Sequence, residues 1–228
     1  MEWLTMGALR FFGRLFRGSD WEVMEQAEAQ PEAPLALPAQ IMLGDASVEL
    51  RYLTAEDGPA ILAFARTLPP GDLLFLRRDI TRPEQVDNWL HEASAGLATT
   101  ILALQDGQIV GYATVAADGL TWTRHVRELR VLVAPRMRGH HLGRKLVEEA
   151  FAVARQQGAR KMMAQMTVDQ ESAIAAFKRI GFQAEARLHG QVIDRKGELH
   201  DLQIMSLNVD EFEAKLELAS SRPADFPL

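Results

Sequence analysis

One stretch, residues 131–146, constrains the fold of this chain more than any other. Its first residues are apolar and β-branched, which is typical of a strand covered on both faces, and Pro135 ends that strand because it has no N–H to donate. Gly139 and Gly143 follow in a polar loop, and apolar residues then recur at helical spacing from Leu142 to Phe151. The stretch is therefore predicted to be a buried strand, a loop and the start of a helix.

The junction between this loop and its helix is a candidate anion site. The first N–H groups of a helix have no partner within it, and the helix dipole is positive at this end. A pyrophosphate fits such a site. The loop lacks the G-x-G-x-x-G spacing of a dinucleotide fingerprint and the G-K-[ST] of a nucleotide P-loop. A plain turn that binds nothing is the alternative interpretation.

The composition of the 228 residues narrows the classes of function. The net charge of −6 argues against a general nucleic-acid binder, since such proteins are usually basic. The absence of cysteine excludes a disulfide or a thiol nucleophile and fits a reducing, cytoplasmic setting. The six histidines lack metal-ligand spacing, so no metal site is predicted. No apolar run is long enough to span a membrane, and no signal-peptide pattern is found at the N-terminus.

Changes in composition along the chain predict three parts. Residues 1–40 contain an amphipathic helix, an acidic helix and a proline-rich linker. In the first helix, residues 3–17 set an aromatic-rich face against an arginine stripe, which suits an anionic membrane surface, a second subunit in a homodimer or the protein's own core. Residues 41–210 form the main domain. Residues 211–228 form a C-terminal helix and tail.

The main domain is predicted to have the order β-α-α-β-β-β-α-β-α-β-β. Strands are predicted at residues 48–53, 99–105, 108–116, 126–133, 161–168, 182–189 and 199–208. Hairpins pair antiparallel, whereas strand–helix–strand units favour right-handed parallel crossovers. The order therefore predicts an α/β fold of the α+β type, with a mixed sheet of about seven strands and helices on both faces of a single layered domain.

Two motifs in this order resemble the GNAT superfamily of N-acetyltransferases. The family's acyl-CoA loop is written R/Q-x-x-G-x-G/A, and the loop here reads Arg138-Gly139-His140-His141-Leu142-Gly143. The family's A-I-x-x-Y/F-x-x-x-G-F motif is similar to the segment from Ala173 to Phe182. The resemblance covers roughly residues 47–208 and implies the GNAT fold.

The resemblance also implies acetyl-CoA as the co-substrate. In relatives, the loop amides bind its pyrophosphate, and the preceding strand bulges and splays from its neighbour so that its backbone pairs with the pantetheine. The acceptor amine attacks the thioester directly, without a protein nucleophile. The implied cofactor-binding residues are Val131, Leu132, Val133, Arg138, Gly139, His140, His141, Leu142, Gly143, Arg144, Gln170 and Phe177.

The chain departs from the family pattern at three of these positions, and the departures at 141 and 177 bear on activity. His141 replaces the first motif glycine, so the loop must accept a Cβ there; we expect the ring to face outward and the N–H to stay available. Phe177 stands where many relatives have a tyrosine that protonates the leaving thiolate. Gln170 stands where many relatives place an asparagine that contacts the cofactor, and its amide is a partial replacement.

Glu128 and Tyr112 are the candidate catalytic residues. Glu128 lies on the strand before the loop, where some relatives place a general base, and a raised pKa would suit that role. The alternative is a Glu128 side chain paired with Arg127, Arg130 or another surface residue. Tyr112 lies on the preceding strand and is the candidate acid, since position 177 has no proton to give.

The residues and the resemblance together predict transfer of an acetyl group from acetyl-CoA to a primary amine of a small molecule or a protein. The alternative, favoured by the two departures, is an acyl-CoA-binding sensor or scaffold without turnover. The acceptor would lie between residues 68–80 and the hairpin at 190–199. In the first of these segments, Arg77, Arg78 and Asp79 would either select a charged acceptor or simply lie on the surface.

Overall fold

The computed structural model describes residues 36–74, 76–194, 196–212 and 214. The predicted N-terminal helices, including residues 3–17, lie outside the described residues, as does most of the predicted C-terminal helix and tail. Within the described part of the chain, no helix is both long enough and apolar enough to cross a membrane.

Eight strands form one mixed sheet. They are β1 (Ala39–Leu43), β2 (Ala46–Tyr52), β3 (Ala98–Gln105), β4 (Gln108–Ala116), β5 (Val126–Val133), β6 (Lys161–Thr167), β7 (Gln183–Ile193) and β8 (Leu199–Asn208). Their order across the sheet is β1-β2-β3-β4-β5-β6-β8-β7. Neighbouring strands are antiparallel except β5 and β6, which are parallel and lie near the middle of the sheet.

Helices cover both faces of this sheet, and five of them have bounds that lie wholly within the described residues. They are α1 (Gly58–Thr67), α2 (Pro70–Leu74), α3 (Pro83–Ser94), α4 (Leu142–Gln156) and α5 (Glu171–Ile180). The apolar side chains of α1 and α3 form one core cluster with one face of β3, β4 and β5. Those of α4 and α5 form a second cluster with the opposite face. The β5–α4 connection therefore passes from the sheet to its α4 face, and it contains the predicted anion-binding loop.

The predicted fold class, mixed sheet and helices on both faces are confirmed. The sheet has eight strands, whereas the sequence predicted about seven. The additional strand is β1, which forms a hairpin with β2 through Gly44, a residue at a φ of 61°. The chain also forms the short helix α2 directly after Pro69, where a proline pair followed by glycine had predicted only the end of α1.

A buried ion pair fixes the start of the α1 region. Arg51 at the end of β2 donates two hydrogen bonds to Asp57, at 2.8 and 2.6 Å, and the Thr54 backbone N–H donates a third at 2.8 Å. The hydrogen bond from Arg51 lowers the pKa of Asp57 and outweighs the opposing effect of burial. The folded protein therefore favours the ionised carboxylate.

Replacing Asp57 with asparagine should lower the free energy of unfolding by about 1.5–3 kcal/mol at pH 7, because a hydrogen-bonded charge is lost. A carboxyl group whose pKa is depressed by folding stabilises the protein above its unfolded pKa, and this contribution disappears as the pH falls through the folded value. The gap between wild type and Asp57→Asn should therefore close below the usual pKa of 3.8. Unfolding by denaturant at several pH values measures this difference in stability, and Glu56→Gln, at an exposed neighbouring residue, is the control. A gap that is constant with pH would contradict the assignment.

Candidate active site

The parallel strands β5 and β6 separate along their length and leave a gap in the sheet. They pair at Val126, Arg127 and Glu128 of β5, and the described residues show no pair between them beyond Glu128. β5 continues to Val133, paired with β4, while β6 continues to Thr167, paired with β8. The gap therefore opens toward the carboxyl ends of both strands, which is the end where the 138–144 loop lies.

The backbone of β5 directs alternate residues into this gap. The Ala134 N–H donates to the Val110 carbonyl at 2.8 Å. This bond shows which residues of β5 direct their backbone N–H and C=O groups toward β4, since these groups alternate between the two sides of a strand. By that alternation, the backbone groups of Val131 and Val133 face the gap, whereas those of Leu132 pair with Tyr112 of β4. The last parallel pair is that of Glu128 with Met163, so the gap-facing N–H groups of Val131 and Val133 both lie beyond it. Leu132 was also predicted to present its backbone to the cofactor, and its backbone groups lie on the β4 side of the strand.

The separation of β5 from β6 needs no bulge in β5. The β4–β5 ladder keeps one register from Glu128 to Val133, and the register shift nearby lies between β3 and β4, at Ala103 and Leu104. Beyond the shared pairs, β6 remains paired with β8 as far as Thr167, and β5 remains paired with β4 from Glu128 to Val133.

The loop after β5 presents a run of unpaired amides. Met137 and Arg138 donate to the Ala134 and Pro135 carbonyls, and Lys145 donates to the His141 carbonyl at 3.1 Å. Between them, the N–H groups of residues 139–144 have no acceptor within the described part of the chain. Because residues 142–144 begin α4, these donors stand at the positive end of its dipole. The arrangement can hold the oxygens of a pyrophosphate.

Two residues of the loop adopt left-handed backbone conformations. Gly139 has a φ of 80° and His141, the residue that replaces the motif glycine, a φ of 62°. His140 and His141 are both exposed. Gly143 differs, because its φ lies outside that region and an added Cβ would meet only Val133 Cγ2, at 3.6 Å. The protein itself therefore does not require glycine at 143.

The two arginines predicted to bind phosphate both take part in ion pairs. Arg138 Nη2 lies 2.6 Å from Asp72 Oδ2 of α2, and Arg144 Nε lies 2.8 Å from Glu148 Oε1, one turn further along α4. Both arginine side chains are about half exposed, at 51% and 55%. Solvent-exposed pairs of this kind contribute little to stability. A phosphate group can therefore compete for either guanidinium at small cost.

Gln170 and Phe177 lie at the β6–α5 end of the site. Gln170 precedes α5, and its Oε1 accepts a hydrogen bond of 3.0 Å from the Thr167 N–H at the end of β6. Its amide nitrogen remains as a donor. The Phe177 ring packs edge-on against Phe182, with 5.0 Å between centroids, and joins the core cluster on the α4 face. Phe177 therefore supports the wall of the site by packing.

Glu128 lies where β5 and β6 part, and two arginines bind it. Arg130 Nη2 of β5 is 2.7 Å from Glu128 Oε2, and Arg77 Nη1, from the connection between α2 and α3, binds the same oxygen. Oε1 has no partner among the described residues. Burial favours the neutral acid, but the hydrogen bonds and charges of Arg130 and Arg77 outweigh it and lower the pKa of Glu128. The sequence argument for a base with a raised pKa is therefore contradicted, and the ion pair predicted as its alternative is present with Arg130.

The Tyr112 side chain is buried in the core, on the face of the sheet that carries Glu128. Its ring packs against Trp89, with 4.9 Å between centroids, and against Phe64 at 6.4 Å. Burial raises the pKa of Tyr112 to about 12, although Arg130 and Arg78 oppose this. A thiol has a pKa of roughly 8.5, so proton transfer from this phenol to a thiolate runs uphill by about 5 kcal/mol. This environment disfavours the predicted acid role.

Two buried polar atoms lie on the strands that border the gap, and neither was predicted as part of the site. Arg130 Nε of β5 and Thr167 Oγ1 at the end of β6 have no hydrogen-bond partner within the described residues. Buried polar groups in proteins are almost always paired. The register of β5 with β6 puts both side chains on the same face of the sheet as Glu128. The sequence does not indicate that these two atoms belong to the site, because their position beside the gap depends on where β5 and β6 separate.

A further group of side chains has spacing compatible with a metal ion, in the turn between β7 and β8. It contains Asp194, Glu198 and His200. His200 Nδ1 lies 2.8 Å from Asp169 Oδ2, and Asp194 Oδ1 accepts the N–H groups of Lys196 and Glu198 at 2.7 and 2.9 Å. These contacts close the turn and join it to the start of α5, which accounts for the cluster without an ion.

Comparison with protein families gives one match. The model of the Acetyltransferase (GNAT) family matches residues 72–182, which run from α2 to the residue before β7. These residues include both strands that border the gap, the 138–144 loop and α5. No match is found among curated proteins.

Solved structures with the same architecture include several acetyltransferases. A ribosomal-protein-alanine N-acetyltransferase from Brucella melitensis is 26% identical, with a TM-score of 0.61 over 70% of this chain and 98% of that chain. A GNAT-family acetyltransferase from Streptococcus pneumoniae is 23% identical, with a TM-score of 0.61 over 71% and 99%. A Salmonella typhimurium protein solved with its cofactor acetyl-CoA is 22% identical, with a TM-score of 0.62 over 72% and 94%.

Proposed function

We propose that this chain, of which residues 72–182 match the GNAT acetyltransferase family model, transfers the acetyl group of acetyl-CoA to a primary amine by direct attack on the thioester. The observation that carries the proposal is the gap between β5 and β6, bordered at one end by the unpaired amides of residues 139–144. A sheet that separates in its middle has lost backbone hydrogen bonds, and a ligand with amide groups of its own can replace them.

The chain's own groups would hold the co-substrate at three points. The amides of residues 139–144 would bind the pyrophosphate, with Arg138 and Arg144 adding charge-assisted contacts. The Val131 and Val133 backbone would pair with the pantetheine amides. Gln170 would donate its amide N–H from the opposite wall. Binding at several points would fix the direction of the thioester, and such positioning supplies much of the rate in bimolecular reactions.

Proton and charge transfer would then involve few side chains. As the amine nitrogen bonds to the carbonyl carbon, negative charge develops on the carbonyl oxygen, and a preorganised N–H at Val131 would stabilise it. Glu128 Oε1 would accept the proton that the nitrogen must lose, directly or through water. The C–S bond breaks and CoA leaves as the thiolate, which is protonated in bulk solvent after release, since the buried Tyr112 phenol is too weak an acid to protonate it in the site.

The second candidate function is an acyl-CoA-binding protein without turnover. One observation favours it: Phe177 packs into the core and offers no proton at the position where many relatives have an acid. The two candidates share the binding step and differ only in thiol release.

Acetyl-CoA should bind at micromolar concentration and should release CoA when a suitable amine is present. Calorimetry and a thermal shift measure the first step, since a ligand specific for the folded state stabilises it by about 2.7 kcal/mol at 100 times its Kd. A thiol reagent over an amine panel measures the second, and the chain has no cysteine to give a background signal. Binding without release for any amine would select the sensor. Absence of both heat and thermal shift would exclude both candidates.

A further inference from the structure

We propose that the acceptor is a primary amine that also carries a carboxylate, and that Arg77 and Arg130 bind this carboxylate at the mouth of the β5–β6 gap. The inference rests on the proposed function and specifies the chemical class of its acceptor. It starts from the two arginines around Glu128, which come from different parts of the chain.

The first observation is the position of these arginines. Arg130 follows Glu128 by two residues on β5, so both side chains leave the same face of the sheet just where β6 departs. Arg77 reaches the same carboxylate from the connection between α2 and α3, 51 residues away in the chain. The Arg77 side chain is 55% exposed and that of Glu128 is 15% exposed, so Arg77 is the more accessible member of the pair from solvent. An acceptor that approaches from this face meets Arg77 before it meets Glu128.

The second observation is a local excess of positive charge. Glu128 supplies one negative charge to two guanidinium groups, both of which bind its Oε2. The neighbouring Arg78 does not change this balance, since it pairs with Glu92 at 2.6 Å and stacks over the Trp89 ring at 5.7 Å. One positive charge in the cluster is left for an anion. A polycationic amine would be repelled from the same place.

The third observation is an unused donor. Arg130 Nε is buried and has no hydrogen-bond partner within the described residues. The Arg130 side chain as a whole is 26% exposed. A guanidinium pairs with a carboxylate through two parallel hydrogen bonds, and Nε is commonly one of the donors. A bound carboxylate would satisfy this atom, which protein groups leave unsatisfied.

These three observations connect acceptor binding with proton transfer. A carboxylate that binds Arg77 and Arg130 competes with Glu128 Oε2 for the same donors. Glu128 would lose part of the positive field that now stabilises its charge, and its affinity for a proton would rise. The base would therefore become stronger only when an acceptor with the correct charge is in place.

The test compares acceptors that differ only in this carboxylate. Thiol release from acetyl-CoA is measured with free amino acids, with their methyl esters and with the amines that lack the carboxyl carbon. Short peptides beginning with aspartate or glutamate, against asparagine or glutamine, distinguish a side-chain carboxylate from that of a free amino acid. We expect kcat/KM for the best carboxylate-bearing acceptor to exceed that of its neutral partners by about tenfold or more.

Variants then assign this preference to Arg77. Arg77→Gln should lower kcat/KM about tenfold more for the carboxylate-bearing acceptor than for its neutral partners, which lose only the effect of Arg77 on Glu128, and should leave acetyl-CoA affinity within twofold. Arg77→Lys should restore part of the preference, because it keeps the charge and loses the fork. Arg82→Gln is the matched control, since Arg82 lies in the same connection, is 66% exposed and pairs with Asp79 and Glu84 instead.

The possible failures are distinguishable. Turnover of neutral or cationic amines with no advantage for a carboxylate would overturn this inference and leave the proposed function intact. A carboxylate preference that survives in Arg77→Gln would overturn the assignment to this cluster. No release with any acceptor of any series would overturn the proposed function, and this inference with it.

Discussion

Gly143→Ala should bind acetyl-CoA roughly 10- to 100-fold more weakly than the wild type while remaining fully folded, a loss of about 1.4–2.8 kcal/mol of binding free energy. The reason is space. Gly143 is the second residue of α4, where an anion held by the helix N-terminus must approach the backbone closely. A Cβ at this position would extend from the first turn of α4 toward Val133, next to the amides of residues 139–144 that are proposed to hold the pyrophosphate.

The folded protein itself should tolerate this change. The added Cβ would lie 3.6 Å from Val133 Cγ2, an ordinary contact, with no other atom of the described chain closer than that. Alanine is also a better helix former than glycine by about 1 kcal/mol, so the melting temperature without ligand should stay the same or rise. Gly143→Ala therefore separates an effect on acetyl-CoA binding from an effect on stability.

Calorimetric titration with acetyl-CoA measures the effect, and two other glycines serve as controls. Gly58→Ala adds the same methyl group at the first residue of α1, where the nearest atom is the flexible end of Leu90 at 3.4 Å, and it should bind acetyl-CoA normally. Gly139→Ala should weaken binding through strain as well, because Gly139 has a φ of 80°. Unchanged affinity in Gly143→Ala would show that no ligand approaches this helix end.

The sequence predicted the fold well where the local signals were consistent. The strand at residues 126–133 and the hairpin strand at 108–116 have the predicted bounds, because apolar residues, a proline stop and an Asp-Gly turn agree there. The strand β1 was missed since Pro34 and Pro38 indicated a linker, and a short edge strand needs little apolar signal. A proline in the first turn of a helix, as in α2, gives the same sequence pattern as a proline that ends the preceding helix.

Only the part of the candidate site that consecutive residues form could be predicted from the sequence. The loop at 138–144 and its amides follow from a strand, a glycine-containing turn and a helix in series. Contacts between distant segments could not be predicted, such as Arg138 with Asp72, 66 residues apart in the chain. Neither could the orientation of the Leu132 backbone toward β4, since the alternation of a strand depends on its neighbour's register. The pKa of Glu128 depends on Arg77 in the same way.

Glu128→Gln should lower turnover about 100-fold at pH 7, with acetyl-CoA affinity within twofold of the wild type, if Glu128 accepts the proton of the amine. The hydrogen bonds and charges of Arg130 and Arg77, acting against burial, hold the pKa of Glu128 below its usual 4.5. A carboxyl group with a lowered pKa is ionised throughout the neutral range, so the wild-type rate between pH 6 and 9 should follow the ionisation of the acceptor amine. The glutamine side chain keeps the shape and an oxygen for the two arginines but cannot accept a proton.

The pH dependence of this loss distinguishes a base from a group that only positions the arginines. Primary amines have pKa values of about 8 to 10, so at high pH the acceptor loses its proton to water and needs the carboxylate less. The ratio of wild-type to Glu128→Gln rates should therefore fall from about 100 at pH 7 toward 10 or below near pH 10. Glu92→Gln is the matched control, because Glu92 also pairs with an arginine, Arg78, but lies on α3. A ratio that stays constant with pH would mean that Glu128 acts by holding Arg77 and Arg130 in place.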